Sequence, residues 1–189
     1  MIPLPLVIMA GGKSSRMGSD KALLPFGDFP TLTQYQLARW RGCFSFLHVN
    51  CKYKEKFDFE ASFIEDIPTY PKSSPLIALL SILKYFNAPV AVLSVDTPFV
   101  TAEIFETLYQ NFSPNTQAII ATSPFGTHPL CGFYTPSLIP TIEKMLENDN
   151  HKIGYLLQNA QTVYVNFTDD APFFNLNYPH EYTQAKELL

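Results

Sequence analysis

A short apolar run near the start of the chain leads into a glycine-opened turn that carries several cations, and this junction restricts the fold more than any other stretch. Residues 5–9 are apolar, and their number suits one buried strand. Gly11 and Gly12 follow, so the backbone can turn sharply and bring its N–H groups close to a ligand. The nine residues from 13 to 21 hold one acid and three cations, Lys13, Arg16 and Lys21. A strand followed by such a turn is a suitable receptor for a polyphosphate.

The rest of the chain alternates strand-like and helix-like segments. Strands are predicted at residues 44–50, 62–66, 89–95, 118–122, 130–134 and 162–167. Helices are predicted at residues 32–41, 76–86, 138–147, 153–158 and 179–189, and a further helix, capped by Thr101, is predicted to run through residue 109. Residues 89–95 are apolar on both faces, as a central parallel strand should be. The alternation predicts an α/β fold, a three-layer sandwich with a Rossmann-like, mostly parallel sheet. Residues 1–189 are expected to form a single domain.

Two connecting segments lie between these elements. Residues 52–56 are rich in charge and are predicted to be a charged loop or the start of a helix, with a solvated face favoured. Residues 126–129 contain a glycine and a proline and are predicted to form a loop between two strands.

Polar side chains stand at the carboxyl ends of several predicted strands. Asn50, Asp66 and Asp96 occupy such positions, as does the glycine-rich turn. Because ligands of parallel α/β sheets bind beyond these ends, the four features are expected to share one cleft. Asp96 is the candidate Mg²⁺ ligand, since magnesium commonly takes one or two carboxylates plus substrate phosphates. The alternative interpretation is that Asp96 caps the turn beside Pro98 and that Asp66 only forms a turn.

Charge and cysteine content restrict the remaining classes of function. A net charge of −4 argues against broad nucleic-acid binding, which needs a basic face, although a local cluster is enough for a small anion. The three cysteines form no C-x-x-C pair, which indicates neither a disulfide framework nor a zinc site and favours a reducing, cytoplasmic location. The apolar start is too short to span a membrane and lacks the basic region of a signal peptide.

Residues 10–21 resemble the signature of the molybdenum-cofactor guanylyltransferases, A-G-G-x-S-x-R-M-G-x-D-K, at every fixed position. A P-loop is excluded, because Val7 stands where that motif needs its first glycine. Further matches follow in the family's order and cover essentially the whole chain, at residues 48–50, 64–66, 96–99, 128–130 and 174–177. The resemblance implies the nucleotide-diphospho-sugar transferase type of α/β fold.

The resemblance also implies a reaction, in which GMP is transferred from GTP to molybdenum-bearing molybdopterin with release of pyrophosphate. Arg16 and Lys21 are expected to bind the triphosphate and the leaving pyrophosphate, and Lys13 is either a third such cation or exposed. The implied assignments are Met9, Ala10, Gly11 and Gly12 to the nucleotide through backbone contacts; Lys21, Asn50 and Asp66 to GTP; Asp96 to GTP and Mg²⁺; and the region of His128 with Asn175 and Asn177 to the pterin and phosphates.

One departure from the family pattern bears on the choice of base. The family usually carries G-P-L-A-G after the third strand, whereas residues 74–78 read S-P-L-I-A, so that Ser74 and Ala78 replace two glycines. Each added side chain is small, and an adjusted pocket is expected. In favour of guanine, Gly11 and Gly12 resemble the guanylyl members, while cytidylyl relatives tend to carry Ala-Gly there.

Three alternatives stay open at this point. They are a cytidylyltransferase acting on the same pterin, a nucleotidyltransferase acting on another phosphorylated metabolite, and a nucleotide-binding module that delivers the cofactor without catalysis. Transient contacts with proteins of cofactor biosynthesis and molybdoenzyme maturation are expected, and neither nucleic acid nor a membrane is expected as a partner.

Overall fold

The computed structural model describes residues 1–12, 18–70 and 73–189, and these residues form a seven-stranded sheet in the order β3-β2-β1-β4-β6-β5-β7. β6 runs antiparallel to its neighbours β4 and β5, whereas the other neighbouring strands are parallel, which confirms the mostly parallel sheet. The strands are β1 (Ile2–Met9), β2 (Phe44–Cys51), β3 (Phe63–Glu65), β4 (Val90–Ser94), β5 (Ala118–Ser123), β6 (Gly126–Tyr134) and β7 (Thr162–Asn166).

Helices cover both faces of the sheet and complete the predicted three-layer sandwich. Along β1, Leu6 and Ile8 pack with one face's core, and Val7 and Met9 with the other, so the central strands are apolar on both sides. Side chains of α1, α3 and α6 belong to the first core, and those of α2, α4 and α5 to the second. The helices are α1 (Leu32–Trp40), α2 (Pro75–Phe86), α3 (Ala102–Gln110), α4 (Ile139–Glu147), α5 (Ile153–Gln158) and α6 (Pro179–Glu187). None of the helices in the described ranges has the length and apolar character needed to cross a bilayer.

The helix starts next to the cleft follow from local capping chemistry. Thr31 accepts a hydrogen bond from the backbone N–H of Gln34 at 3.1 Å and so begins α1. Ser74 accepts from the N–H of Ile77 at 3.3 Å, and Pro75 stands at the first position of α2, where its missing N–H is tolerated.

The predicted loop at residues 126–129 is wrong, because these residues form the first part of β6. They pair with the end of β5 in an antiparallel hairpin in which Ser123 is opposite Gly126 and Ala121 is opposite His128. The register shifts between Ile120 and Ala121, and Pro129 lies opposite this irregularity, where a residue without an N–H group can be accommodated. Gly126 lies at the tight turn between β5 and β6, and β6 continues through Pro129.

Gly132 in β6 lies where two strands leave no room for a side chain. A Cβ atom there would be 2.2 Å from the carbonyl oxygen of Ile119 and 2.9 Å from Cδ1 of Ile120. We expect Gly132→Ala to lower the free energy of unfolding by at least about 1–3 kcal/mol, the usual effect of overpacking. Gly154→Ala, in α5, is the matched control, since a Cβ there meets no atom within 4 Å. Urea denaturation compares the two variants, and equal stabilities would contradict the close approach at Gly132.

Candidate active site

Three adjoining cavities lie at the edge of the sheet where β1 to β4 end. Their volumes are about 120 Å³ for the first, 210 Å³ for the second and 270 Å³ for the third. Ser94 lines all three, the turn lines the first two, and Asp96 lines the first and the third. The cavities therefore form one continuous cleft.

The cleft brings together the described residues that the sequence singled out. Arg16 and Lys13 lie outside the described residues, so their contacts with a triphosphate stay predictions. The predicted residues that line the cleft are Met9, Ala10, Gly11, Gly12, Lys21, Asn50, Asp66, Asp96, His128, Asn175 and Asn177. The structure thus places the glycine-rich turn, Asn50, Asp66 and Asp96 in one cleft, as expected, and the roles of all these residues toward a ligand stay predictions.

Lys21 and Asp96 meet across the middle of the cleft. The ammonium nitrogen of Lys21 lies 2.8 Å from Oδ2 of Asp96 and 3.1 Å from Oδ1 of Asn177. The other carboxylate oxygen of Asp96 accepts a hydrogen bond from Ser94 at 2.5 Å. The side chains of the ion pair are only 15% and 19% exposed, so water screens their charges less than at an open surface. One cation and several oxygen atoms are thus held at a single point.

Side chains of helix α1 form hydrogen bonds with the segment that carries Lys21 and with the segment that carries Asp96. The hydroxyl of Thr33 donates to the carbonyl of Ala22, next to Lys21, at 2.8 Å. The amide of Gln36, which is fully buried, donates to the carbonyls of Val95 and Thr97 on either side of Asp96, at 3.3 and 3.1 Å.

Two further contacts hold the segment after β4. Arg39 of α1 binds the carbonyls of Pro98 and Val100. The N–H of Leu176 donates to the carbonyl of Asp96 at 2.9 Å, which brings Asn175 and Asn177 to the cleft. The sequence interpretation missed Gln36 and Arg39, although a glutamine on the buried side of a helix is a signal for such a role.

Asn50 and Asp66 form a second polar pair in the second cavity. The amide nitrogen of Asn50 donates to Oδ1 of Asp66 at 3.0 Å and to the carbonyl of Ile64 at 3.1 Å. Both partners are acceptors, so this nitrogen must face them, and Oδ1 of Asn50 is left buried without a hydrogen-bond partner among the described residues. A Cβ on Gly11 would lie 3.9 Å from that oxygen. An unpaired buried acceptor beside the glycine-rich turn fits a ligand that brings a donor.

Burial raises the pKa of the Asp66 carboxyl, and the hydrogen bond from Asn50 and then the charge of Lys52 oppose this shift in part. The charged form present at neutral pH is therefore unfavourable in the folded protein, and stability falls as pH rises from the ordinary value through the raised pKa. We expect Asp66→Asn to raise the melting temperature at neutral pH, by about 2–4 °C if the gain is about 1 kcal/mol.

The gain from Asp66→Asn should shrink as the pH is lowered, because protonation of the native carboxyl removes the buried charge. Thermal unfolding followed at neutral and acidic pH measures both effects. Asp58→Asn, which alters an exposed acid, is the control. A variant that is less stable than the native protein at neutral pH would contradict the argument.

His128 belongs to a chain of hydrogen bonds that the sequence did not reveal. Ser123 lies 2.7 Å from Nε2 of His128 and also contacts the carboxylate of Asp170. Because a carboxylate only accepts, the hydroxyl donates to Asp170 and accepts from Nε2–H of His128, which assigns the tautomer from the network. Burial lowers the pKa of the His128 imidazole, and the charge of Asp170 opposes this in part. The ring stacks on Phe173 with 4.1 Å between centroids.

Lys56 departs from the predicted solvated face at residues 52–56. Lys54 and Glu55 are exposed as expected, but the side chain of Lys56 is 22% exposed. Its ammonium nitrogen lies 2.8 Å from the carbonyl oxygen of Ala10 and 2.7 Å from Oδ2 of Asp20. The prediction of a solvated face is therefore wrong for Lys56, which contacts Ala10 and Asp20 at the two ends of the glycine-rich turn.

Residues 6–163 match the family model described as the MobA-like NTP transferase domain, and the chain is therefore a nucleotidyltransferase. A curated relative from Campylobacter jejuni, named molybdenum cofactor guanylyltransferase, is 41% identical over 187 residues, which cover 98% of this chain and 97% of the relative. The chain therefore belongs to the molybdenum cofactor guanylyltransferase family.

More distant relatives agree with this placement. A protein of the same name from Helicobacter pylori is 28% identical over 194 residues, covering 98% of this chain and 90% of the relative. The crystal structure of molybdopterin-guanine dinucleotide biosynthesis protein A from Archaeoglobus fulgidus superimposes with a TM-score of 0.84 at 22% identity and covers 98% of each chain. The last comparison bears on the fold alone.

Proposed function

We propose that the protein transfers GMP from GTP to molybdenum-bearing molybdopterin and forms molybdopterin guanine dinucleotide and pyrophosphate. The observation that carries this proposal is the meeting of Lys21, Asp96 and Asn177 at one point of a cleft that continues to Asn50 and Asp66. The named relatives support guanine as the base and molybdopterin as the acceptor. Residues 1–189 act as a single nucleotidyltransferase domain in this proposal.

The second cavity, which Asn50 and Asp66 line, takes the nucleoside. The free acceptor oxygen of Asn50 and the carboxylate of Asp66 are complementary to the N–H and O–H donors that a guanosine carries. Met9, Gly11 and Gly12 also line this cavity and are proposed to contact the nucleotide through their backbone groups. Ser74 also lines it, but its hydroxyl is engaged with the N–H of Ile77 and with Nδ1 of His151 at 3.0 Å. Its presence in place of a family glycine therefore adjusts the pocket without closing it.

The first cavity takes the triphosphate. Lys21 neutralises phosphate charge there, and Arg16 is proposed to add a forked contact. The oxygens of Asp96 and Asn177 already hold an ammonium group between them, so the residues present fit a cation at this point. Asp96 would hold a Mg²⁺ ion together with substrate phosphates, and the ion would neutralise charge on the triphosphate. Among the described residues no three His, Cys, Asp or Glu side chains are placed to hold a metal by themselves, which agrees with a site completed by substrate.

The third cavity, lined by His128, Asn175 and Asn177, takes the acceptor. A phosphate oxygen of the pterin attacks the α-phosphorus of GTP, the bond from that phosphorus to the bridging oxygen breaks, and pyrophosphate leaves. Two anions must meet, so the protein acts by neutralising charge and aligning the reactants. No protein nucleophile is needed; burial raises the pKa of the Cys51 thiol to about 12, which keeps that thiol unreactive.

Titration calorimetry with GTP, CTP, ATP and UTP in the presence of Mg²⁺ tests the proposal, together with an assay of pyrophosphate release on addition of molybdopterin. Preference for GTP and release of pyrophosphate are expected. Preference for CTP would instead indicate a cytidylyltransferase, and GTP binding without pyrophosphate release would indicate a delivery module.

The three cysteines are free, which supports the cytoplasm as the location of the reaction. Transient contacts with proteins of cofactor biosynthesis and molybdoenzyme maturation are proposed to take place there.

A further inference from the structure

Lys56 connects the two ends of the glycine-rich turn from a separate part of the chain. It ends a one-turn 3-10 helix, Lys54–Lys56, that follows β2. Its ammonium group donates to the carbonyl of Ala10, where the turn leaves β1, and to the carboxylate of Asp20, where the turn ends. The same group lies 4.9 Å from the ring centroid of Phe57, which adds a cation–π contact.

The position of Asp20 gives this contact a consequence for ligand binding. Asp20 and Ala10 line the first cavity together with Lys21 and Asp96, whereas Lys56 is not among the residues that line it in the described part of the chain. A carboxylate at this wall repels a triphosphate unless a cation neutralises it. Lys56 supplies that cation at 2.7 Å, on side chains that are 22% and 31% exposed.

Asp20 also holds the backbone next to Lys21, the residue proposed to bind the phosphates. Its second oxygen, Oδ1, accepts a hydrogen bond from the N–H of Ala22 at 3.0 Å and so caps the 3-10 helix Lys21–Leu23. That helix begins with Lys21, whose ammonium reaches Asp96. A continuous series of contacts therefore runs from Lys56 through Asp20 to Lys21.

We propose that Lys56 is a positioning residue for the nucleotide. Its side chain holds Ala10 and Asp20, at the two ends of the glycine-rich turn, in place and neutralises the charge of Asp20 at the wall of the first cavity, which takes the triphosphate. The proposal rests on the proposed binding of GTP to this cleft. It assigns Lys56 no contact with the substrate, because the side chain acts through Asp20 and Ala10.

Lys56→Met tests the inference, with the dissociation constant for Mg²⁺–GTP measured by calorimetry and folding checked by thermal unfolding. We expect the dissociation constant to rise roughly ten-fold, as after loss of one partner of a partly buried charged hydrogen bond. Lys56→Arg keeps the charge and should stay within about three-fold of the native value. Lys54→Met removes the same charge from an exposed lysine two residues away and should leave the dissociation constant unchanged.

The double variant Lys56→Met with Asp20→Asn separates positioning from a merely structural role. Asparagine can still cap the 3-10 helix but carries no charge, so we expect the double variant to bind GTP more tightly than Lys56→Met alone. A purely structural role of Lys56 would lower the melting temperature of Lys56→Met and of the double variant and leave the GTP affinity of the folded proteins unaltered. If Lys56→Met does not fold, the GTP affinity of the double variant is measured in its place.

Two results would overturn the inference in different ways. Native GTP affinity in folded Lys56→Met, with normal binding by the native protein, would refute the role of Lys56 and leave the proposed function standing. Absence of GTP binding by the native protein would refute the proposed function, and the inference with it.

Discussion

Asp96→Asn is expected to reduce kcat for pyrophosphate release by roughly a hundred- to a thousand-fold, the usual effect of removing one preorganised electrostatic group. Asparagine has nearly the same shape, and its oxygen can accept from Lys21 while its amide nitrogen donates to the Ser94 hydroxyl, but it lacks the charge that a cation at this point requires. The surrounding segment is held through backbone carbonyls by Gln36 and Arg39, so the fold should remain intact. The loss should therefore lie in catalysis.

Steady-state assays with varied Mg²⁺, together with thermal unfolding of the variant, measure this prediction. Asp28→Asn removes one negative charge at an exposed position and is the matched control. A folded Asp96→Asn enzyme with near-native kcat would show that Asp96 only caps its turn.

Lys21→Met is expected to raise the dissociation constant for Mg²⁺–GTP by roughly ten- to a hundred-fold, which corresponds to the loss of one charged hydrogen bond of about 1.5–3 kcal/mol. Two effects act in the same direction. The triphosphate loses a cation, and the carboxylate of Asp96 loses the ammonium partner that lies 2.8 Å away in the structure. Methionine retains much of the length of the side chain, so packing around the stem should change little.

Calorimetric titration of Lys21→Met with GTP checks the prediction, and Lys144→Met, at an exposed position of α4, controls for the change in net charge. Unchanged GTP affinity would remove Lys21 from the binding site. A weaker affinity in both variants would indicate a general effect of protein charge.

Patterns that are local in sequence predicted most of the fold. The helix at residues 153–158 is observed with the same bounds, and the helix predicted at residues 32–41 is observed as α1, which begins at the same residue. The location of Asn50, Asp66 and Asp96 at one edge followed from the rule that parallel strands end together, and it is confirmed. Such predictions succeed because capping, apolar runs and strand direction depend on neighbouring residues.

The contacts that the sequence interpretation missed join residues far apart in the chain. Lys56 contacts Asp20, Gln36 contacts the segment around Asp96, and Ser123 contacts Asp170. A lysine in a charged run looks the same whether it faces water or a distant carboxylate, so composition does not distinguish the two cases. The hairpin at residues 126–129 was missed for a related reason, because only pairing with β5 makes a strand of residues that otherwise signal a turn.

Helix α1 affects the spacing between Lys21 and Asp96 as well as the stability of the fold. It is bonded both to the segment that carries Lys21 and to the segment that carries Asp96, while Gln36 and Arg39 line none of the three cavities in the described structure. The helix thus acts as a fixed spacer between the two charged groups. Changes confined to the protein interior can therefore tune the spacing on which phosphoryl chemistry depends, without replacing any residue that meets a substrate.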